Sequence, residues 1–203
     1  MRIEIRNDSV IISGYVNATE RNSRVMASPH GKFIEQVKSK VFQRALDNSS
    51  NIDILLNHNS SKKLGSTSEG NLKLCEDNIG LRAMATITDA ETMQKAKDNK
   101  LIGWSFAFSA NKDSWEDAKD GIQRRFLEDI DLKEVSILDN TKICAYEGTS
   151  IESRDEKSIL IENRSFEDAG ELVDCSTKDT KKDIELREAN ENLKKQLLIE
   201  CEL

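Results

Sequence analysis

Three side chains of different chemical type stand on separate apolar stretches of this chain: His58, Ser105 and Glu134. A serine hydroxyl is a weak nucleophile until a base takes its proton, and a neutral imidazole suits that task near neutral pH. A carboxylate beside the imidazole fixes its tautomer and stabilises the imidazolium formed during attack. Together the three types fit acyl transfer. Taken singly, each also has a plainer reading. A lone histidine at a strand end can be a hydrogen-bonded structural residue, a serine on a smooth strand face can simply pack, and a glutamate at an edge or bulge can be wet.

The elements that must position them are strands. Leu101–Ser109 alternates at period two, with Ile102, Trp104, Phe106 and Phe108 on one face and Gly103, Ser105, Ala107 and Ser109 on the other. The bulky face anchors the strand, and the small face leaves the Ser105 hydroxyl where another chain can lie close to the backbone. In Ile52–Asn59 the residues Ile52, Ile54, Leu56 and His58 share parity, so the imidazole emerges at the end of a buried row as the strand enters a polar loop. A third strand-like run extends from Ile122 to Leu138. Its even positions include Phe126, Glu128, Ile130, Leu132, Glu134, Ser136 and Leu138, which places Glu134 on the expected core face. A carboxylate in apolar surroundings is costly unless paired, so Glu134 requires a partner, and His58 or an arginine such as Arg124 is the expected one.

Residues 1–18 read as one or two strands, and Asn17–Gly31, which holds the only proline, Pro29, as a long loop. Phe33, Ile34, Val37, Val41, Phe42, Ala45 and Leu46 recur at helical spacing and predict an amphipathic helix over Phe33–Leu46. A turn is expected at Leu64–Ser66, then strands over Asn71–Cys75 and Leu81–Ile87 joined through Glu76–Gly80. Asp89 is placed to cap a second helix reaching Asn99, and Asn111–Gly121, polar apart from Trp115, reads as a loop. Beyond Ser150 the chain is charge-rich without strand alternation. Asp179–Glu200 has helix-forming composition, with Leu186, Leu193 and Leu197 near heptad spacing and Asn190 on the same seam. The expected organisation is a folded domain over residues 1–150 and a charged, partly helical tail over residues 151–203.

At 203 residues, 37% hydrophobic and 33% charged, the chain supports one main domain only if its charge is unevenly distributed. A net charge of -7, with no basic run longer than Lys62-Lys63 or Arg124-Arg125, argues against a nucleic-acid partner. Cys75, Cys144, Cys175 and Cys201 are widely spaced and only His30 and His58 accompany them, so no metal knuckle is expected. Met1–Arg6 has no apolar signal core, and no run approaches the roughly 18 apolar residues of a membrane span. An intracellular soluble protein with reduced thiols is the expectation, with no membrane partner.

The local sequences carry a resemblance. Leu55-Leu56-Asn57-His58-Asn59 followed by Leu64-Gly65, then Leu72-Lys73-Leu74 with Gly80-Leu81, then Ile102–Phe108, then Ile130–Ile137, with Gly14-Tyr15 near the start, resemble in order and spacing the caudovirus prohead protease family. These are the capsid maturation serine proteases of tailed phages, and the resemblance covers roughly residues 1–148. The chain departs from the family pattern at Lys40-Val41-Phe42, where Gly-Ala-Phe is frequent, and at Asp139-Asn140-Thr141, where Pro-Ala is common.

The resemblance implies an α+β fold: a mainly antiparallel β-barrel flanked by helices, herpesvirus-protease-like, with a charged helical carboxy-terminal tail. Carried over by motif, His58 is the general base, Ser105 the nucleophile and Glu134 the third member, with Asp129, Asp131 and Asp139 close by as alternatives. It also implies a serine endopeptidase acting inside the immature capsid in the host cytoplasm. Its substrates would be scaffold segments and the major capsid protein, together with its own tail. No metal or cofactor is required, and a homodimer is expected from herpesvirus-like relatives. The oxyanion donors are not assigned; a loop backbone N–H is favoured over Arg124 or Arg125, whose plainer reading is surface charge. The rival readings are a non-enzymatic scaffold or capsid-assembly factor and a hydrolase of small esters.

Overall fold

Strand alternation governs most of the molecule. The computed structural model describes residues 1–28, 31–117, 121–141, 162–167 and 171–174. In chain order the elements are β1 (Arg2–Ile5), β2 (Val10–Ala18), β3 (Met26–Ser28), β4 (Gly31–Val37), α1 (Val41–Asp47), β5 (Asp53–Leu56) and β6 (Asn59–Ser66). They continue with β7 (Leu72–Glu76), β8 (Gly80–Ile87), α2 (Ala90–Lys97), β9 (Leu101–Glu116), β10 (Gln123–Asp139), β11 (Glu162–Glu167) and β12 (Glu171–Asp174).

The strands form two sheets. One has the order β12-β1-β2-β8-β7, and the other the order β11-β9-β10-β4-β3 with β5 and β6 added beside β10. Neighbours are mostly antiparallel; β1 with β12, and β10 with both β4 and β5, are parallel. The α+β expectation agrees with this arrangement of sheets and two helices. The predicted closed barrel does not form among the described residues, because the two sheets share a core without hydrogen bonds joining them into a ring. No helix among the described residues is long and apolar enough to cross a membrane.

The core sits around the predicted bulky face of β9. Trp104, Phe106 and Phe108 are fully buried, and Phe42 of α1 meets Phe106 edge-on at 5.3 Å between ring centroids. Burying each phenylalanine contributes about 1.5–3 kcal/mol. A Cβ at Gly14 would lie 3.2 Å from Trp104 Nε1 and 3.1 Å from Met1 Cα, so the missing side chain makes room for the indole between β2 and β9.

Several local expectations are corrected. The predicted helix over Phe33–Leu46 begins only at Val41, because Phe33, Glu35 and Val37 are buried at period two in β4. Phe33 and Val37 fit both periods while Ile34 fits only the helical one, and pairing with β3 and β10 decides for the strand. The remaining helix is capped from a distance: Glu76 on β7 accepts the N–H groups of Lys40 at 2.6 Å and Gln43 at 2.7 Å. The predicted Asn17–Gly31 loop contains β3, paired with β4. The polar run after His58 is an edge strand, β6, where exposed side chains are compatible with pairing to β5. Asn111–Glu116 continues β9, and Trp115 packs on Phe33 at 5.3 Å. α2 agrees with the expectation, with Asp89 accepting from Thr92 N at 2.8 Å.

Among the described residues, two strands lie past residue 150, within the expected charged tail. β11 pairs with β9 and β12 pairs with β1, so the sheets recruit this region. Its buried residues Glu162 and Arg164 are charged, which is why hydropathy alternation did not reveal a strand there. The predicted Asp179–Glu200 helix, Pro29, His30, Cys144, Cys175 and Cys201 lie outside the described residues; Cys75 is an exposed free thiol.

Candidate active site

β10 brings the three singled-out side chains together by breaking its own alternation. Leu132 lies opposite Phe108, but Glu134 lies opposite Ala107, so two steps along β10 match one along β9. Opposed residues share a face. The bulge at Lys133 therefore turns Glu134 from the Ile130–Leu132 face, where even numbering had placed it, to the face of Ser105 and Ala107. Ser136 then lies opposite Ser105, while Val135 and Ile137 take the core positions opposite Phe106 and Trp104. Further register shifts near Asp129 move the buried positions from Arg125 and Leu127 to Ile130 and Leu132, so Phe126 and Glu128 are only half-buried.

His58 arrives from the opposite side of β10. β5 runs parallel to β10, with Leu55 opposite Ser136 and Leu56 opposite Ile137. The chain reverses through Asn57 and His58, both at φ 58, into β6. Positive φ at both central residues is the type I′ hairpin signature, and asparagine adopts it at little cost. Three bonds tie this turn to the end of β10: Asn57 N–H donates to Ile137 O at 2.9 Å, His58 N–H to Ser136 Oγ at 3.1 Å, and Asp139 N–H to Asn57 Oδ1 at 3.0 Å.

The imidazole bridges the other two groups. His58 Nε2 lies 2.7 Å from Ser105 Oγ, and His58 Nδ1 bonds Glu134 Oε1. The second carboxylate oxygen, Glu134 Oε2, accepts from Ser136 Oγ at 2.7 Å. Donation from Nδ1 to a carboxylate leaves Nε2 with the lone pair needed to receive the Ser105 proton. Glu134 was expected to pair with His58 or an arginine such as Arg124, and of these it is His58 that it contacts. Ser105 is fully buried, since β10 flanks one edge of β9 and β11 the other, and Arg164 O lies 2.6 Å from its hydroxyl as an alternative acceptor to His58 Nε2.

The alternative carboxylates go elsewhere. Asp129 and Asp131 both accept from Asn111 Nδ2, at 3.3 and 3.0 Å. Buried Asp139 bonds Lys95 at 2.7 Å and the N–H of Thr141 at 3.0 Å. Burial alone would raise the Asp139 carboxyl, but hydrogen bonds from Lys95, Thr141 and Asn57 hold it well below the usual range. Asp139 thus braces the turn that carries His58 without touching the imidazole.

Sequence reasoning missed Ser136 and a buried charge cluster behind Ser105. Arg125, expected at the surface, is 7% exposed, and its guanidinium contacts Glu162, Glu35 and Asp113. Arg164 forms a second fork on Glu35. Burial disfavours the charge on Arg125, yet bonding to Glu162 and the charge of Glu35 raise its affinity for the proton. Burial would likewise raise the Glu162 carboxyl, but Arg125 and Arg164 hold it below its ordinary value. Glu35 between the apolar Phe33 and Val37 was the available signal. Among the described residues no group of three or more His, Cys, Asp or Glu side chains is placed to hold a metal ion.

The family described as Caudovirus prohead serine protease matches residues 1–163. No curated protein and no solved structure matches.

Proposed function

The chain belongs to the caudovirus prohead serine protease family, and we propose that it is the serine endopeptidase of phage capsid maturation, with Ser105 as nucleophile, His58 as general base and acid, and Glu134 as the carboxylate that orients His58. The observation that carries this reading is the continuous contact from Glu134 through both nitrogens of His58 to Ser105 Oγ. Ser105 Oγ adds to the scissile carbonyl carbon as His58 Nε2 takes its proton. Glu134 stabilises the resulting imidazolium, which then protonates the leaving amine. Water, deprotonated by His58, hydrolyses the acyl-enzyme and restores the serine.

The substrates in this reading are the scaffold segments and major capsid protein of the immature capsid within the host cell, and the chain's own carboxy-terminal region. The test is co-expression of the full chain with its capsid and scaffold proteins, followed by mass analysis of the products. Ser105→Ala is expected to lower processing by about 10⁴-fold or more, as for other serine nucleophiles. Processing by Ser105→Ala at the wild-type rate would sink the proposal.

A further inference from the structure

β11 occupies the edge of β9 at which Ser105 stands. Glu162–Glu167 pairs antiparallel with Phe108–Gly103, placing Ser165 opposite Ser105, while β10 fills the other edge. Without β11, residues 103–108 would present unpaired main-chain groups beside the nucleophile, a template onto which an extended peptide adds as a strand. Arg164 O also competes directly for the nucleophile: it lies 2.6 Å from Ser105 Oγ, against 2.7 Å for His58 Nε2, and the hydroxyl has one proton to donate.

The side chains of this strand are read in pairs. Glu162 and Arg164 are two residues apart and so share a face. Glu162 takes a two-pronged contact from Arg125, at 2.5 and 2.8 Å, and Arg164 forks onto Glu35 at 2.6 and 2.8 Å. An acid followed by a base on the strand meets a base on β10 and an acid on β4. Exchanging the two would set arginine against Arg125 and glutamate against Glu35 in a site that excludes water, which strongly disfavours that order. Buried ion pairs confer selectivity more than net stability, because both ions lose hydration. The order of charges therefore favours one register for a strand on this edge. On departure of β11 Arg125 keeps Glu35 at 3.1 Å and Asp113 at 2.6 Å, so neither of the two fixed charges is stranded.

Resting on the serine protease reading, we infer that Arg125 and Glu35 are specificity-determining residues. Substrates bind as a strand in place of β11, with an acidic residue facing Arg125, a basic residue two positions later facing Glu35, and the carbonyl of that basic residue presented to Ser105. β11 is the chain's own strand in this slot, and its Arg164–Ser165 bond is the one offered in cis. The Ser105 Oγ–carbon bond forms and the C–N bond after the basic residue breaks. The serine proton passes through His58 to the departing amine, and water then frees the new carboxylate.

Peptide binding tests the inference independently of turnover. The full chain carrying Ser105→Ala, Glu162→Gln and Arg164→Gln is titrated with a fluorescent peptide of residues 159–170 and with one in which the acid and base are exchanged. The native order is expected to bind at least about tenfold more tightly, and adding Glu35→Gln is expected to erase the preference. Equal affinities, or no binding by a variant whose circular dichroism and melting match wild type, overturn the inference. Mapping the product termini of the wild-type chain and its capsid substrates is the second measurement. Cuts after a basic residue with an acid two positions earlier support the inference, and cuts at other sequences overturn it while leaving the protease reading intact. Absence of any Ser105-dependent cut counts against the protease reading, and the titration still decides the subsite.

Discussion

Ser136 Oγ donates to Glu134 Oε2 at 2.7 Å while accepting the main-chain N–H of His58 at 3.1 Å. One buried hydroxyl thus fixes both the carboxylate rotamer and the turn that presents the imidazole. Removing it leaves one carboxylate oxygen and one amide without this partner, and a hydrogen bond to a charged group contributes about 1.5–3 kcal/mol. Ser136→Ala is expected to lower kcat by about tenfold to a hundredfold with little change in KM. Ser136→Thr, which keeps the hydroxyl, should recover much of the rate. An unchanged kcat in Ser136→Ala would refute the positioning role.

Glu134→Gln keeps the size of the side chain and removes the charge that orients Nδ1–H. Steady-state kinetics should show kcat reduced by about 10⁴, in line with loss of the carboxylate from a serine triad. Asp129→Asn and Asp131→Asn, whose carboxylates bond Asn111 instead, are expected to retain wild-type rates. The reverse pattern would transfer the role to an aspartate.

Glu76 supplies from β7 the cap that α1 lacks locally, since Lys40 at the helix start makes no side-chain cap bond and has φ 68. Glu76→Ala should destabilise the protein by about 1–2 kcal/mol in urea unfolding, within the range found for helix caps. Because α1 carries Phe42 against Phe106, one residue from Ser105, the same variant is expected to lose activity at lower urea concentrations than wild type. Identical unfolding midpoints would show that the remote cap contributes nothing.

Acid sensitivity should follow Asp139. Its carboxyl is held below its ordinary value, so its contribution is fully present above the unfolded value of about 3.9 and is lost as pH falls through that value toward the lower folded one. Urea midpoints of wild type are expected to drop below about pH 4. Asp139→Asn should be less stable at neutral pH and lose less on acidification. Parallel pH profiles for the two proteins would contradict this assignment.

The legible parts of the fold were those encoded in a short local window. β1, β2, β5, β7, β8 and the buried face of β9 follow from period-two alternation, and α2 from its Asp89 cap. The failures share a cause. Phe33 and Val37 fit two periods at once, Asn59–Ser66 is a strand by pairing rather than by hydropathy, and β11 buries charges that pair with residues of β4 and β10 far away in the chain.

By itself, the order of residues determined which side chains are chemically able to form the site, that Ser105 shares its strand face with Gly103 and Ala107, and that Glu134 needs a partner. Tertiary structure decided that they meet. A bulge at Lys133 inserts one residue into β10 and sends Glu134 across the sheet, a type I′ turn swings His58 over both neighbours, and β11 closes the edge beside Ser105. Alternation counts residues along one chain, whereas a bulge, a register and an ion pair are set by distances between strands, which no local period encodes.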